Sequence, residues 1–174
     1  FPGDIVGIHD TGNFKIGDTL TEGEVLNFKG IPSFSPEHFR YVNNADPMKS
    51  KQLYKGLDQL MDEGVAQLFT LDMNGRRVVG TVGALQYEVI QYRLEHEYGA
   101  KCTYENLAAH KACWVEPENP KSDEFIDFKR VKQRYLAKDK QGQLVFLADS
   151  EFTIQMTQNK YPSVKLHFTS EFKK

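Results

Sequence analysis

The sequence lacks the features that would place it in several large classes of protein. It contains 2 cysteines among 174 residues, too few for a disulfide framework, and Cys102 and Cys113 do not have metal-site spacing. No apolar run approaches the roughly 20 residues that cross a bilayer, and no signal segment opens the chain. A phosphate-binding GxxxxGK[ST] loop is also missing. We therefore expect a reduced, cytoplasmic chain that neither spans a membrane nor carries a P-loop.

The overall composition is that of an ordinary globular protein. Apolar residues make up 40% and charged residues 26% of the chain, which is typical of neither disordered nor membrane proteins. The net charge of −2 excludes binding to nucleic acid by bulk charge, although it allows a local basic face. The chain opens at Phe1, without Met, in what reads as a strand. We therefore expect a fragment of a longer protein, with one full domain and part of another.

Short strand patterns separated by glycines fill the first 28 residues. They cover residues 4–8, 16–20 and 24–28 and suggest strands of a small barrel or sandwich. An isolated two-stranded ribbon is rarely stable in water, so residues 1–29 read as the C-terminal strands of a β-domain. Residues 30–36 contain two prolines and a glycine, which predicts a connector without continuous regular structure.

The clearest change of hydrophobic period falls between residues 78 and 99. Residues 78–82 read as a short buried strand, and an amphipathic helix that packs on a sheet is predicted from about residue 84. Gly80 and Gly83 predict a tight turn between the two elements, and Gly99 predicts a left-handed helix cap. Its apolar stripe is predicted to be Leu85, Val89 and Tyr92, with Ile90, Leu94 and Tyr98 beside it.

The predicted elements of residues 37–106 follow the order strand, helix, strand, strand, helix, strand. This is the order of a split βαβ, or ferredoxin-like, unit. Within it, Asp46-Pro47 marks a helix start, Gly64 its end, and Asn74-Gly75 a type I′ hairpin turn. The strands are predicted at 38–42, 65–71, 77–82 and 101–105. Residues 107–174 repeat the order, which predicts an α+β fold with two such units. The predicted helices of this second unit begin at Ser122 and Ser150. Its predicted strands are 111–115, 134–137, 144–148 and 164–168.

Two candidate binding motifs are better explained by packing. Residues 80–83 have the GxxG form of a nucleic-acid clamp, but they lack basic residues and follow a strand, which favours a packing turn. His110 and Cys113, with His96 and Cys102, could form a zinc set, but strand-borne residues three apart point to opposite faces. We expect both cysteines to be small buried hydrophobes. No catalytic, cofactor-binding or metal-binding residue is predicted.

The densest charge feature is the run from Lys129 to Arg134. It lies at a predicted helix end, where it either presents a cationic edge to phosphates or complements the helix dipole. Arg76 and Arg77 form a smaller basic hairpin tip that is explained equally well by solvation. The candidate nucleic-acid contacts are Lys129, Arg130, Lys132, Arg134, Arg76 and Arg77.

Several stretches resemble a known family. FPGDIVG at 1–7 and IGDTL at 16–20 resemble the end of the second domain of translational GTPases. FKGIPSFSPE at 28–37, LQYEV at 85–89 and WVE at 114–116 resemble the bacterial class II release-factor GTPases, the peptide chain release factor 3 family. The resemblance covers essentially the whole chain and is strongest over residues 1–116. Cys113 departs from the pattern, since a basic residue is expected before Trp-Val-Glu.

The resemblance implies a GTPase of which this chain is the C-terminal part. It implies a G domain that binds GTP or GDP with Mg²⁺, then a β-barrel ending at residue 29, then a third domain over residues 30–174, with sub-units at about 37–106 and 107–174. Such a protein promotes departure of class I release factors from the ribosome after peptide release, and GTP hydrolysis allows its own exit. The full-length protein would be the enzyme, and this fragment would hold neither catalytic group nor cofactor.

The partners that the resemblance implies are ribosomal RNA and protein, the class I release factor complex, and the chain's own G domain and barrel. DNA and membranes are not among them. The six basic candidates then become ribosome contacts. The alternative is a free-standing enzyme or small-ligand-binding domain, because a ferredoxin-like scaffold hosts many functions.

Overall fold

The computed structural model describes residues 1–9, 19–26 and 35–170. The chain divides into two units, Phe1–Ile31 and Pro32–Lys174. The described residues of the first unit form neither strand nor helix, so the strand predicted over residues 4–8 is not formed there. No described strand pairs with this segment, and an unpaired strand is rarely stable in water. Phe1 and Ile5 are fully exposed. The patterns predicted over 16–20, 24–28 and 30–36 lie wholly or partly outside the described residues.

Eight strands and four α-helices make up the described part of the second unit, which confirms the predicted α+β class. The first half consists of β1 (His38–Asn44), α1 (Ser50–Asp62), β2 (Gln67–Leu71), β3 (Arg77–Thr81), α2 (Gln86–Tyr98) and β4 (Cys102–Asn106). The second half consists of β5 (Lys111–Pro117), α3 (Asp123–Lys132), β6 (Leu136–Lys138), β7 (Leu144–Ala148), α4 (Glu151–Lys160) and β8 (Val164–His167). None of these helices is both long and apolar enough to cross a bilayer.

All eight strands belong to one antiparallel sheet in the order β4-β1-β3-β2-β6-β7-β5-β8. Each half places its first strand between its fourth and its third, with its second strand beyond the third. The second strands β2 and β6 therefore meet in the middle, where Thr70 pairs with Lys138 and Leu71 with Ala137. This short ladder makes the two halves one continuous sheet.

The helices of the first half begin and end at the residues that the sequence marks. Asp46 accepts a hydrogen bond from the Met48 amide at 3.0 Å, and Pro47 opens a 3₁₀ turn that leads into α1. Gly64 follows α1 with φ +71°, and Gly99 ends α2 with φ +63°. Both glycines occupy the left-handed conformation that other residues adopt only with strain, which confirms the two predicted caps.

The turn between β2 and β3 differs from the predicted type I′ hairpin. Its loop spans residues 72–75: the Gly75 amide donates to the Leu71 carbonyl and the Leu71 amide to the Arg76 carbonyl, each at 2.9 Å. Gly75 has a φ of +68° and Asn74 does not have a positive φ, whereas a type I′ turn needs both. The Asn74 side chain instead accepts from the Arg76 amide at 3.0 Å, a local bond typical of asparagine in turns.

Gly80 has a packing role within β3 and does not form the turn predicted for it. A Cβ at this position would lie 2.6 Å from Pro36 Cγ and 3.0 Å from Phe69 Cε2, so only glycine fits without displacement. The turn before α2 is held by Gln86, whose Oε1 accepts from the Val82 and Gly83 amides at 2.9 and 3.0 Å. The GxxG segment is thus explained by packing and by a side-chain bond.

The helices cover one face of each half and enclose two different cores. The core beneath α1 and α2 is mainly aliphatic and includes Leu53, Leu57, Leu60, Ile90 and Leu94. The core beneath α3 and α4 contains more aromatic rings, Phe125, Phe128, Phe146 and Tyr161, which pack with aliphatic side chains such as Ile154. All ten side chains are at most 6% exposed.

The opposite faces of the two halves pack against each other. Phe69 in β2 and Trp114 in β5 have ring centres 6.3 Å apart, although three strand spacings in a flat sheet would separate their backbones by about 14 Å. Ser35, which precedes β1, exchanges hydrogen bonds with the backbone of Ala112 in β5 at 3.1 and 3.2 Å. The sheet therefore folds over on itself, and a third core fills the space between the halves.

Candidate nucleic-acid interface

The predicted basic run lies at the C-terminal end of α3. Ser122 caps the helix by accepting from the Phe125 amide at 3.2 Å, and two acidic residues occupy its first turn. After Lys132 the chain continues as a 3₁₀ turn, Gln133–Tyr135, into β6. Acids at the start and bases at the end both complement the helix dipole. We call Lys129, Arg130, Lys132 and Arg134 the basic end.

The two lysines of the basic end lie over aromatic rings of the second half. Lys129 Nζ is 4.8 Å from the Phe125 ring centre, and Lys132 Nζ is 5.3 Å from that of Phe146. Burial lowers the pKa of Lys132, while the nearby Asp149 carboxylate opposes that shift. Part of each lysine is therefore used in cation–π packing within the domain.

Arg130 is mostly exposed but is held in place by a carboxylate. Its side chain is 76% exposed, and its Nη2 donates to Asp127 Oδ1 at 2.5 Å. The other Asp127 oxygen accepts from the Tyr161 hydroxyl at 2.8 Å and lies 3.5 Å from Lys160 Nζ. Donation by Arg130 and Tyr161 lowers the pKa of Asp127 to about 2. Asp127 was not predicted, because only its three-residue spacing from Arg130 is visible in the sequence.

Arg134 is exposed in the 3₁₀ turn, and none of the ion pairs among the described residues includes it. Arg130 lies four residues earlier, about one helical turn away. The structure thus brings all four predicted residues to one end of α3 but divides them by role. The lysines lie over rings, Arg130 is paired with Asp127 but mostly exposed, and Arg134 is exposed.

Arg76 and Arg77 are in the first half and engage neighbouring side chains. Arg76 lies 3.6 Å from the Tyr41 ring centre and pairs with Glu105. Arg77 pairs with Asp58 at 3.3 Å. Their side chains are 35% and 26% exposed, less than half the exposure of Arg130. The structure does not join these two arginines to the basic end.

The cysteines and histidines do not come together as a site. Cys102 and Cys113 are both buried, which confirms their predicted packing role, and burial raises the pKa of the Cys113 thiol to about 12. The His110 side chain is 55% exposed and lies 4.0 Å from Glu151. Within the described ranges, no group of three or more His, Cys, Asp or Glu side chains could hold a metal ion.

A shallow cleft of about 350 Å³ lies where the two halves meet. It is lined by Asp58, Leu68, Thr70, Arg77, Asp139 and Lys140. Lys140 Nζ contacts Asp62 Oδ1 at 2.6 Å and donates to the Asp58 carbonyl at 2.7 Å. Arg77 and Lys140 are paired and 26% and 32% exposed, whereas Arg130 is paired but 76% exposed, so the cleft is a weaker candidate for an anion site than the basic end.

The fold is an α+β domain with exposed arginines at the end of α3. A comparison with known families gives the particular assignment. The sequence matches the family model described as "Class II release factor RF3, C-terminal domain" over residues 28–158. The chain belongs to this family, which confirms the resemblance found in its sequence. It is therefore the C-terminal part of a release factor and a component of translation termination.

Proposed function

We propose that this chain is the ribosome-docking part of a termination GTPase that promotes dissociation of class I release factors after peptide release. Residues 1–29 would be the last strands of the β-barrel second domain, and residues 30–174 the third domain. GTP or GDP with Mg²⁺ would bind to a G domain outside this chain. The observation that carries the proposal is the family match over residues 28–158.

The repeated strand order supports a description of the third domain as two ferredoxin-like units, about 37–106 and 107–174. In each half the order is fourth, first, third and second strand, as a split βαβ unit requires. A continuous sheet and a shared core join the two units. Because the two units are joined in this way, the third domain is suited to communicate its binding to the ribosome to the G domain.

Docking would occur through the basic end, with Arg76 and Arg77 as secondary contacts. A guanidinium offers two parallel donors to a phosphate, which makes Arg130 and Arg134 the strongest candidates for contact with ribosomal RNA. Lys129 and Lys132 would add positive potential close by. Binding should be sensitive to salt, because each phosphate contact releases condensed counterions.

The direct test is charge reversal of the two arginines in the full-length protein. Arg130→Glu/Arg134→Glu should weaken co-sedimentation with ribosomes by about tenfold or more at low salt. The slope of log affinity against log salt should fall by about one to two, since about one counterion is released per phosphate contact. Release-factor recycling should slow, while GTP binding by the G domain is unchanged.

The matched control reverses two lysines with the same spacing on another helix. Lys51 and Lys55 are both exposed on α1, so Lys51→Glu/Lys55→Glu makes the same change in net charge. If both double variants weaken binding equally, only overall charge matters. If reversal of all four basic-end residues leaves recycling intact, docking does not use this surface.

The alternative of a free-standing ligand-binding domain is tested by thermal unfolding. A ligand that binds the folded state raises Tm as its concentration exceeds Kd. Nucleotides at saturating concentration should leave the Tm of this chain unchanged. An increase in Tm that disappears in an Arg77→Ala variant would favour a site in the cleft between the halves.

A further inference from the structure

Helix α2 carries apolar side chains on two opposite faces. Tyr87, Ile90 and Leu94 are at most 1% exposed and face the sheet. On the other side, Leu85, Val89 and Tyr92 are 74%, 50% and 63% exposed. We call these three residues, together with His96, the α2 stripe. Their spacing of four, three and four residues places them on one line along the helix.

The stripe is ordered over three turns of helix. The rings of Tyr92 and His96 stack with centres 3.9 Å apart, and His96 Nδ1 lies 2.8 Å from the Tyr92 carbonyl oxygen. The packing of the first half does not use these side chains, since its core is formed by the opposite face of α2. Contiguous exposed apolar surface of this kind marks interaction sites more often than isolated exposed residues do.

Carboxylates flank the α2 stripe on both sides. Glu88 and Glu95 lie along one side of the helix, and Glu97 and Glu63 lie along the other. The cations among them are Lys101, 3.0 Å from Glu95, and Arg93, which is bound to Glu63 and Glu97 at 2.5 and 2.7 Å. Four acids thus outnumber two bases. Glu63, Glu95 and Glu97 pair with these bases, and Glu88 is the one of the four that lies outside the ion pairs of the described residues.

The corresponding helix of the second half provides a contrast. On α4, Phe152 and Met156 are 69% and 52% exposed and lie four residues apart. Their neighbours on that face are the uncharged Gln155 and Asn159 and, one turn after Met156, the cationic Lys160. Exposed apolar side chains four residues apart therefore occur on both α2 and α4. Only the stripe on α2 is flanked by an acidic rim, formed by Glu63, Glu88, Glu95 and Glu97.

We propose that the α2 stripe binds a basic protein segment of the ribosomal termination complex, with apolar residues along its centre and Lys or Arg at its edges. This inference rests on the proposed function. The acidic rim repels RNA phosphates, so the partner is protein. Leu85, Val89 and Tyr92 supply the apolar centre of the interface, and Glu88 is available to a partner's cation. The chain then has two contact surfaces of opposite charge, one at the end of α3 and one on α2.

Site-specific photocrosslinking tests this assignment on purified ribosomes that carry a class I release factor. Benzoylphenylalanine replaces Val89 in one sample and Met156 in a matched control, and crosslinked peptides are identified by mass spectrometry. We expect position 89 to crosslink to a Lys- or Arg-rich protein segment at about ten times the yield of position 156. Glu88→Lys should lower that yield about tenfold, the effect of one good charge contact.

Several outcomes would overturn the inference. They are crosslinks from position 89 mainly to RNA, crosslinks to a second copy of the chain, equal yields at both positions, and no crosslink at all. Co-sedimentation and circular dichroism of the same samples separate the causes. A folded chain that sediments with ribosomes but does not crosslink at position 89 refutes this inference alone. A folded chain that does not sediment even at low salt refutes both this inference and the proposed function.

Discussion

The two halves of the sheet have the same strand order but are stabilised differently. The first half uses helices of 13 residues over a mainly aliphatic core, and the second uses helices of 10 residues over a core with four aromatic rings. Both short helices have a serine cap, Ser122 or Ser150, whereas Asp46 caps the 3₁₀ turn before α1, and α1 and α2 themselves have no side-chain cap bond. Short helices are marginal on their own. Serine caps and large aromatic rings therefore stabilise the shorter helices of the second half.

The halves also differ in how they use arginine. Arg76, Arg77 and Arg93 of the first half are each paired with carboxylates of that half and are at most 35% exposed. In the second half Arg130 stays 76% exposed despite its bond to Asp127. The same strand order thus carries paired, largely covered arginines in one half and an exposed arginine in the other. Because both halves contain arginines, a contact candidate is identified by the exposed fraction and the partners of its side chain in the fold.

The largest expected effect of a single substitution is in the aromatic core. Phe128 is fully buried, with ring centres 6.0, 6.1 and 5.5 Å from those of Phe125, Phe146 and Tyr161. Phe128→Ala should lower the free energy of unfolding by about 3–5 kcal/mol, the usual cost of a large buried cavity. The matched change Leu57→Ala in the aliphatic core should cost about 2–5 kcal/mol. Urea denaturation measures both.

The same denaturation curves test whether the halves unfold together. Trp114 is the single tryptophan of the chain, and it is buried in the core between the halves. Its fluorescence and the far-UV circular dichroism should therefore change at the same urea concentration. Two separate transitions would show that each half is an independent folding unit, contrary to the shared sheet and core.

A smaller effect is expected where the two helices of the first half approach each other. A Cβ at Gly56 would lie 2.8 Å from Leu94 Cδ2 and 2.8 Å from Tyr98 Cγ. Gly56→Ala gains about 1 kcal/mol of helix propensity, but overpacking of a fixed core costs about 1–3 kcal/mol. We expect a net loss of about 1 kcal/mol in the free energy of unfolding. The double variant Gly56→Ala/Leu94→Ala should show less than the sum of the two single effects, and strict additivity would rule out the contact as the cause.

Local signals in the sequence were enough to predict most of the helices and strands of residues 38–167. Caps at Asp46, Ser122, Ser150 and Gly99 follow from the chemistry of single residues, and the strand patterns follow from period. The four-residue loop at 72–75 was mispredicted because Asn-Gly fits more than one turn. The face that α2 buries was predicted wrongly. The predicted stripe of Leu85, Val89 and Tyr92 is exposed, and the opposite face with Ile90 and Leu94 is buried, because both faces are apolar and only the sheet selects one.

The candidate site was only partly predictable for a related reason. The basic run is visible as a charge pattern, and a sequence gives no indication of which of its members lie over rings. Phe146, which Lys132 covers, is 14 residues further on, and Tyr161, which binds Asp127, is 34 residues away. These residues are far apart in sequence, and only the fold of the second half brings them into contact. Sequence reasoning therefore located the basic end but could not separate its lysines from its arginines.

The smallest expected effect concerns Asp127, the carboxylate that orients Arg130. Its folded pKa of about 2 lies below the usual value of about 3.9, so the ionised form is favoured in the folded state. The stabilisation is fully present above about pH 4 to 5 and is lost as pH falls through about 2. The Tm of Asp127→Asn should therefore lie slightly below that of the unchanged chain at pH 7, and the difference should close between about pH 4 and pH 2. The effect is small because the pair is partly exposed and screened.

Tyr161→Phe sharpens this measurement, because it removes one donor to Asp127 and leaves the Arg130 pair in place. It should raise the pKa of Asp127. In the Tyr161→Phe background, the difference in Tm between the chain with Asp127 and its Asp127→Asn variant should therefore disappear at a higher pH. A Tm difference that stays constant down to pH 2 would mean that the charge of Asp127 is not its source. Arg130 would then be positioned by packing alone, and Asp127→Asn should leave ribosome binding by the basic end unchanged.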